Sequence, residues 1–179
     1  MVVYRKFLLL IAVLLIASGC ASTEPVNIVV KNWDFSLSLP SRWIVKKSND
    51  PGYSYAGYIS DLNDVANISI RGIKLTSSMR EDTEKWLRDN YIPGKLGAYS
   101  EGFSWEITKE KASEVSVTGL SGKMIEMLWQ RSDGTVPRNV AFIYFINGND
   151  LIIFFVSNRG WESSLQESIN TILAGLKFF

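Results

Sequence analysis

No histidine occurs anywhere in the 179 residues of this chain. Histidine is the commonest general base near neutral pH and the commonest transition-metal ligand. Its absence excludes Ser-His-Asp and Cys-His catalysis and any zinc site built on imidazole. Cysteine is nearly absent as well: Cys20 is the only one, so no internal disulfide can form. Neither sign of charge is in excess, with 19 basic and 18 acidic side chains. Nucleic-acid binding wants a clustered basic face, and this balance points to no such partner. The one long apolar run, Phe7 to Ala17, is 11 residues. A helix needs roughly 20 to cross the hydrocarbon core, so the run is too short for a permanent span.

What precedes and follows that run gives it a meaning. Arg5 and Lys6 stand before it, and the small residues Ser18, Gly19, Cys20 and Ala21 stand after it. A positive start, a short apolar core and a small-residue exit form the layout of a secretory signal. Ile16-Ala17-Ser18-Gly19-Cys20 resembles the lipobox of bacterial lipoproteins, with alanine at 17 where leucine is commoner. The resemblance implies diacylglycerol on the Cys20 thiol, removal of residues 1–19 as a signal peptide, and often acylation of the new amino group by a fatty acid such as palmitate. Several chains make a stable tether where one gives only marginal binding. The alternative is an ordinary signal peptide cut near Ala21 or Thr23. Against it, Cys20 is the sole cysteine and lies at the end of the apolar core. The family pattern adds a destination, because aspartate after the cysteine commonly retains such proteins at the inner membrane. Ala21 implies the periplasmic face of the outer membrane, if the host has one.

Removing residues 1–19 leaves 160, with 17 basic and 18 acidic side chains. That length suits one domain, able to bury about 70% of its unfolded surface without disulfide help. Residues 20–29, polar and broken by Pro25, read as a tether, and residues 30–179 as a single domain. Trp33, Phe35, Leu37 and Leu39 alternate with polar residues, as a half-buried strand does. Pro40-Ser41-Arg42 turns the chain, and strands are expected from Trp43, over Tyr53 to Ile59, and over Ala66 to Ile70. Ser78 and Glu81 read as a capping box; Met79, Thr83, Trp86 and Leu87 follow at helical spacing, and Pro93-Gly94 closes the segment. Phe103, Trp105 and Ile107 return to alternation, with Val115 and Val117 continuing that strand or pairing with it.

The end of the chain is organised most clearly. Strands over Lys123 to Arg131, Val140 to Ile146 and Leu151 to Val156 are separated by Asp133-Gly134 and Asn147-Gly148. Both dipeptides are strong hairpin signals, so an antiparallel meander is expected. Val140 to Ile146 and Leu151 to Val156 are apolar on both faces, which demands a layer above and a layer below. The stripe Trp161, Leu165, Ile169, Ile172, Leu173 and Leu176 makes the final helix one such layer; the helix after Ser78 makes the other. The expected fold class is α+β: a three-layer α/β/α sandwich around a mostly antiparallel sheet.

Phe35-Ser-Leu-Ser-Leu-Pro-Ser-Arg-Trp43 resembles the opening strand and Pro-x-x-Trp turn of PsbP-like domains. The order that follows is similar too: paired strands, a capped helix, a Gly119-Leu-Ser-Gly122 turn, a meander and a closing helix. The likeness spans about Val30 to Phe178. That superfamily includes a photosystem II extrinsic subunit, a nuclear-import factor that binds the Ran GTPase, and bacterial envelope lipoproteins of undetermined biochemistry. The resemblance implies a non-catalytic binding or assembly factor with a protein partner in the envelope, or a small ligand. It brings no catalytic residues and no cofactor. A photosystem-type metal role does not carry over, because the histidines are missing.

Other motifs fail on inspection. A phosphate loop ending at Gly122-Lys123 needs glycine where Val117 stands and Ser or Thr where Met124 stands. A nucleophile elbow at Ser121 needs glycine in place of Lys123. A calcium loop opening at Asp61 needs glycine at Ala66 and glutamate at Gly72. A serine–lysine or carboxylate hydrolase is the rival reading, although no Ser-x-x-Lys occurs. Trp33, Trp86, Trp105 and Trp161 fall on core stripes. Tyr53, Tyr55 and Tyr58, set among Gly52, Ser54 and Gly57, are the candidate partner-binding residues, since tyrosine is amphipathic and favoured at interfaces; the plainer reading lines a sheet edge with them.

Overall fold

The structure, a computed structural model, describes residues 24–47, 57–61, 66–98, 102–134, 137–159 and 162–179. Strand β1 (Val26–Val30), a 3-10 turn at Lys31–Trp33 and strand β2 (Phe35–Leu39) open it. They pair antiparallel with Val30 opposite Phe35. The short strand β10 (Leu176–Phe178) pairs with the other edge of β2, completing a three-stranded sheet. A second sheet holds seven antiparallel strands: β3 (Trp43–Lys47), β4 (Gly57–Asp61), β5 (Ala66–Lys74), β6 (Trp105–Val117), β7 (Leu120–Arg131), β8 (Arg138–Asn147) and β9 (Asp150–Arg159). Their spatial order is β3-β4-β5-β9-β8-β7-β6. Helices α1 (Ser77–Glu81), α2 (Thr83–Trp86) and α3 (Ile92–Ala98), with a π turn at Leu87–Tyr91 before α3, lie between β5 and β6. Helix α4 (Glu162–Gly175) precedes β10.

The large sheet is buried on both faces, as its apolar strands require. Ala141, Ile143, Phe145, Ile152, Phe154 and Val156 pack toward α4 and the small sheet. Val140, Phe142, Tyr144, Leu151, Ile153 and Phe155 point the other way, onto Met79, Leu87, Tyr91 and Ile92. On that side Phe142 and Phe155 meet with centroids 5.0 Å apart, and Trp129 stacks on Phe155 at 5.7 Å. The fold is thus the expected α+β, three-layer sandwich. Close approach fixes how the small sheet sits: a Cβ on Gly72 of β5 would begin 1.9 Å from Cε2 of Trp33. Only glycine leaves room for that indole.

Several boundaries differ from expectation. The tether was expected through residue 29, but Val26 to Val30 form a strand, with Ile28 and Val30 buried. Its mixture of Asn and Val hides the alternation, and only pairing with β2 reveals it. The helix cap is Thr76, whose Oγ1 accepts from the Met79 N–H, in place of Ser78 with Glu81. Asp82 then caps a second start by accepting from the Lys85 N–H at 2.8 Å, which splits the helix. Pro93 does not end the segment; it follows directly on the π turn, in which the Ile92 N–H reaches back to the Leu87 carbonyl, and the helix runs on to Ala98. The β8–β9 turn uses Gly148 and Asn149, one residue later than expected, with Gly148 at φ 58. The β7–β8 connection is a longer loop around Gly134. The tight hairpin lies instead at Thr118-Gly119, both at positive φ, as a type I′ turn requires. Leu176 belongs to β10, and the side chain of Trp161 lies outside the described residues. Residues 105–117 form one continuous strand, although Phe103 and Ile107 are exposed. Among the described residues, no helix is long and apolar enough to cross a membrane.

Helix α4 carries Leu165, Ile169 and Ile172 into the core. Each would lose burial worth about 1.5–3 kcal/mol if the helix were removed, against a net domain stability of about 5–15 kcal/mol. Deletion of residues 161–179 is therefore expected to abolish cooperative folding. Thermal unfolding followed by circular dichroism checks this, and a truncated chain melting near the wild-type temperature would remove α4 from the core.

Candidate functional site

Of the residues singled out in the sequence, Cys20, Tyr53 and Tyr55 lie outside the described residues. Tyr58 is on β4, opposite Lys46. Its strand is second from the sheet edge, between β3 and β5, so an edge position does not hold for this tyrosine. Trp33 is buried, and Trp86 and Trp105 pack partly buried against the core. These three indoles are packing. Asp61 ends β4, and the remainder of the Asp61 to Asp64 turn lies outside the described residues.

The serine–lysine rival can be tested against geometry. Lys95 of α3 donates to Ser69 Oγ at 3.3 Å, and its ammonium lies 5.3 Å from the Phe155 ring centroid and 5.8 Å from that of Tyr91. Burial, reinforced by the Arg71 charge, pushes the Lys95 pKa down. A lysine base needs that direction. A hydrolase also needs room for a substrate carbonyl beside the serine, yet Ser69 is 7% exposed in the middle of β5. Neither groove described below is lined by Ser69 or Lys95. The arrangement works as a clamp holding α3 to the sheet, with the cation over aromatic faces.

Two open grooves flank the ribbon made by β6 and β7. One, about 370 Å³, lies on the α4 side; Lys109, Lys111, Glu126 and Leu128 face Leu165 and Gln166 across it. The other, about 350 Å³, lies between the α1–α2 junction and the sheet. Its floor is a cross-strand row: Glu114 is opposite Lys123, and Lys123 is opposite Tyr144. Glu81, Asp82 and Glu84 form its helical wall, and Ser121 and Ile146 lie at its end.

A charge network supports this second groove. Glu84 accepts from Arg88 at 2.8 Å and from Lys123 at 3.2 Å. Arg88 also pairs with Glu110 of β6, and Lys123 lies 3.9 Å from Glu114. The Arg88 and Lys123 hydrogen bonds hold the Glu84 carboxyl below its usual range despite partial burial. Glu84 and Arg88 form an i,i+4 pair that helical spacing makes legible. Glu110, Glu114 and Lys123 join it only through strand register, which no local pattern in the sequence announces.

No family model matches this chain, and no curated protein is similar to it in sequence. Solved structures are similar. The cyanobacterial PsbP (CyanoP) of Synechocystis sp. PCC 6803 superposes with a TM-score of 0.65 at 15% identity, covering 90% of this chain and 96% of that one. The fold is PsbP-like. The Ran-binding protein Mog1p of Saccharomyces cerevisiae gives a TM-score of 0.51 at 7% identity, covering 88% of this chain and 96% of that one. A Bacteroides thetaiotaomicron protein gives 0.54 at 15% identity, with 88% of this chain matching 49% of that one. At these identities the likeness is one of fold.

Lys95 offers a test of how firmly its ammonium is enclosed between α3 and the sheet. Its lowered pKa means that the unfolded chain binds more protons between the folded value and the ordinary lysine value. Stability therefore rises with pH across that window. Lys95→Met is expected to flatten this alkaline rise while leaving the fold intact, as chemical denaturation from pH 7 to 10.5 would show. An unchanged pH profile would place the ammonium in solvent.

Proposed function

We propose that this chain is an exported lipoprotein of a bacterial envelope whose PsbP-like domain binds a partner and performs no chemistry. The observation that carries the export and anchoring is the order Arg5-Lys6, apolar Phe7 to Ala17, then Ser18-Gly19-Cys20. Residues 1–19 are the signal peptide, Cys20 takes the lipid, and Ala21, in place of a retaining aspartate, permits transfer to the outer membrane where one exists. A protein partner in the envelope is the expected ligand. Support for binding comes from the fold, in which Mog1p is a Ran-binding protein, and from a surface with two open grooves flanked by charged side chains. The serine–lysine form of the rival hydrolase loses ground because Ser69, the partner of Lys95, is buried in mid-strand and lines neither groove.

Cys20→Ser is expected to yield an unprocessed precursor that takes no label from a palmitate analogue fed to the cells. Equal labelling of wild type and mutant would overturn the anchor. For the partner, Tyr53 and Tyr55 share one face in an extended strand and Tyr58 takes the other. Interface tyrosines at hot spots cost about 2 kcal/mol or more when truncated. A Tyr53→Ala, Tyr55→Ala double mutant is expected to melt as wild type does and to lose its crosslinked envelope partner. An unfolded mutant would make these rings core; a folded mutant that captures the same partner would put the site elsewhere.

A further inference from the structure

The groove at the α1–α2 junction carries an imbalance that its own residues do not resolve. Four carboxylates line it, from Glu81, Asp82, Glu84 and Glu114, against one ammonium, that of Lys123. Glu84 is satisfied by Arg88 and Lys123, and Asp82 is engaged in capping α2. Glu81 makes no ion pair with a described residue. Glu114 has only the distant 3.9 Å approach of Lys123, with its side chain 75% exposed. Two carboxylates thus face the groove with little to neutralise them.

An acidic cluster alone would be a solvated surface. Tyr144 makes this one different. The residue is 4% exposed, yet it lines the groove, and it hydrogen-bonds to no described residue. Its ring is packed in the core, while its hydroxyl is open to the groove. Burial, and then the charges of Glu84 and Glu114, push its pKa up, so the phenol stays protonated and its oxygen lies within the field of the groove's carboxylates. A neutral oxygen acceptor and two under-used carboxylates set around an open space suit a cation. Ile146, 37% exposed at the end of the groove, adds an apolar contact.

We propose that this groove seats a lysine side chain presented by a protein partner. The ammonium sits between Glu81 and Glu114 and donates to the Tyr144 hydroxyl, while its alkyl stem lies against Ile146. Lysine suits the site better than arginine because the acceptors stand on separate walls. A guanidinium wants one carboxylate in a coplanar, bidentate fork, whereas an ammonium distributes three donors around a point. Lys123 already shows an ammonium held by the same helical wall, at 3.2 Å from Glu84. This assignment rests on the binding role proposed above and replaces an unspecified contact with a chemical one.

The test is a titration of the ¹⁵N-labelled full chain in detergent micelles with acetyl-Gly-Lys-Gly-amide. Amide shifts are expected at Glu81, Glu114, Lys123 and Tyr144. They should vanish when the peptide lysine is Nε-acetylated, which preserves length and removes charge. Tyr144→Phe, which leaves the ring in place, is expected to weaken binding about tenfold or more, the scale of a lost hydrogen bond to a charged group. Equal shifts from the acetylated peptide, or shifts confined to other residues, would overturn the proposal. Binding of spermidine without binding of the peptide would also overturn it, in favour of a free polyamine. The binding role itself is judged separately, by crosslinked capture from the envelope. A Tyr144→Phe, Glu114→Gln chain that captures its partner as wild type does keeps that role and rejects this groove.

Discussion

Strands β8 and β9 have almost no polar face, and the arrangement of the other elements follows from that. Val140 to Phe145 and Leu151 to Asn158 are buried without interruption. Alternate residues along each strand enter opposite cores. Such a pair cannot lie at an edge or under a single cover. It occupies the centre of the seven-stranded sheet, with β5 on one side and β7 on the other. The charged strand β6 is left to the margin.

Covering the sheet twice raises a question of width. Seven strands about 4.8 Å apart span roughly 29 Å, whereas one helix is about 10–12 Å across. Helix α4 alone cannot roof its face. The three-stranded sheet fills the deficit, bringing Ile28, Phe35, Leu37 and Leu39 beside Leu165 and Ile169. Trp33 presses into the space left by Gly72, and Phe178 reaches Phe145 at 5.1 Å between centroids. This explains why the chain continues past α4 into β10: the last strand fastens the helix to the small sheet.

The layers were legible because they depend on burial, which leaves period-two and helical stripes in the sequence. Val140 to Ile146 and the Leu165-Ile169-Ile172 row carry that signal plainly. What was not legible depends on pairing between distant segments. Val26 to Val30 look like a tether until β2 supplies a partner. Thr76 and Asp82 outcompete the Ser78–Glu81 box because side chains that reach a free N–H compete locally, and several candidates lie within a few residues. The Glu84 network is half readable. Its Arg88 contact follows from helical spacing, while Glu110, Glu114 and Lys123 arrive from β6 and β7 by register alone.

The grooves lie where the roofs run out. Of the thirteen residues of β6 only Val117 is buried, so the β6–β7 ribbon extends beyond α4 on one face and beyond α1–α2 on the other. A bare edge of that length would invite another strand to pair with it. Glu106, Lys109, Glu110, Lys111 and Glu114 counter this, since charged side chains along an edge oppose strand addition. Of these, Lys109, Glu110 and Lys111 line the groove on the α4 side and Glu114 lines the other. A feature that protects the sheet from indiscriminate pairing therefore also gives both grooves their charged walls. The edge strand thus offers charged side chains where a bare strand would offer unpaired backbone.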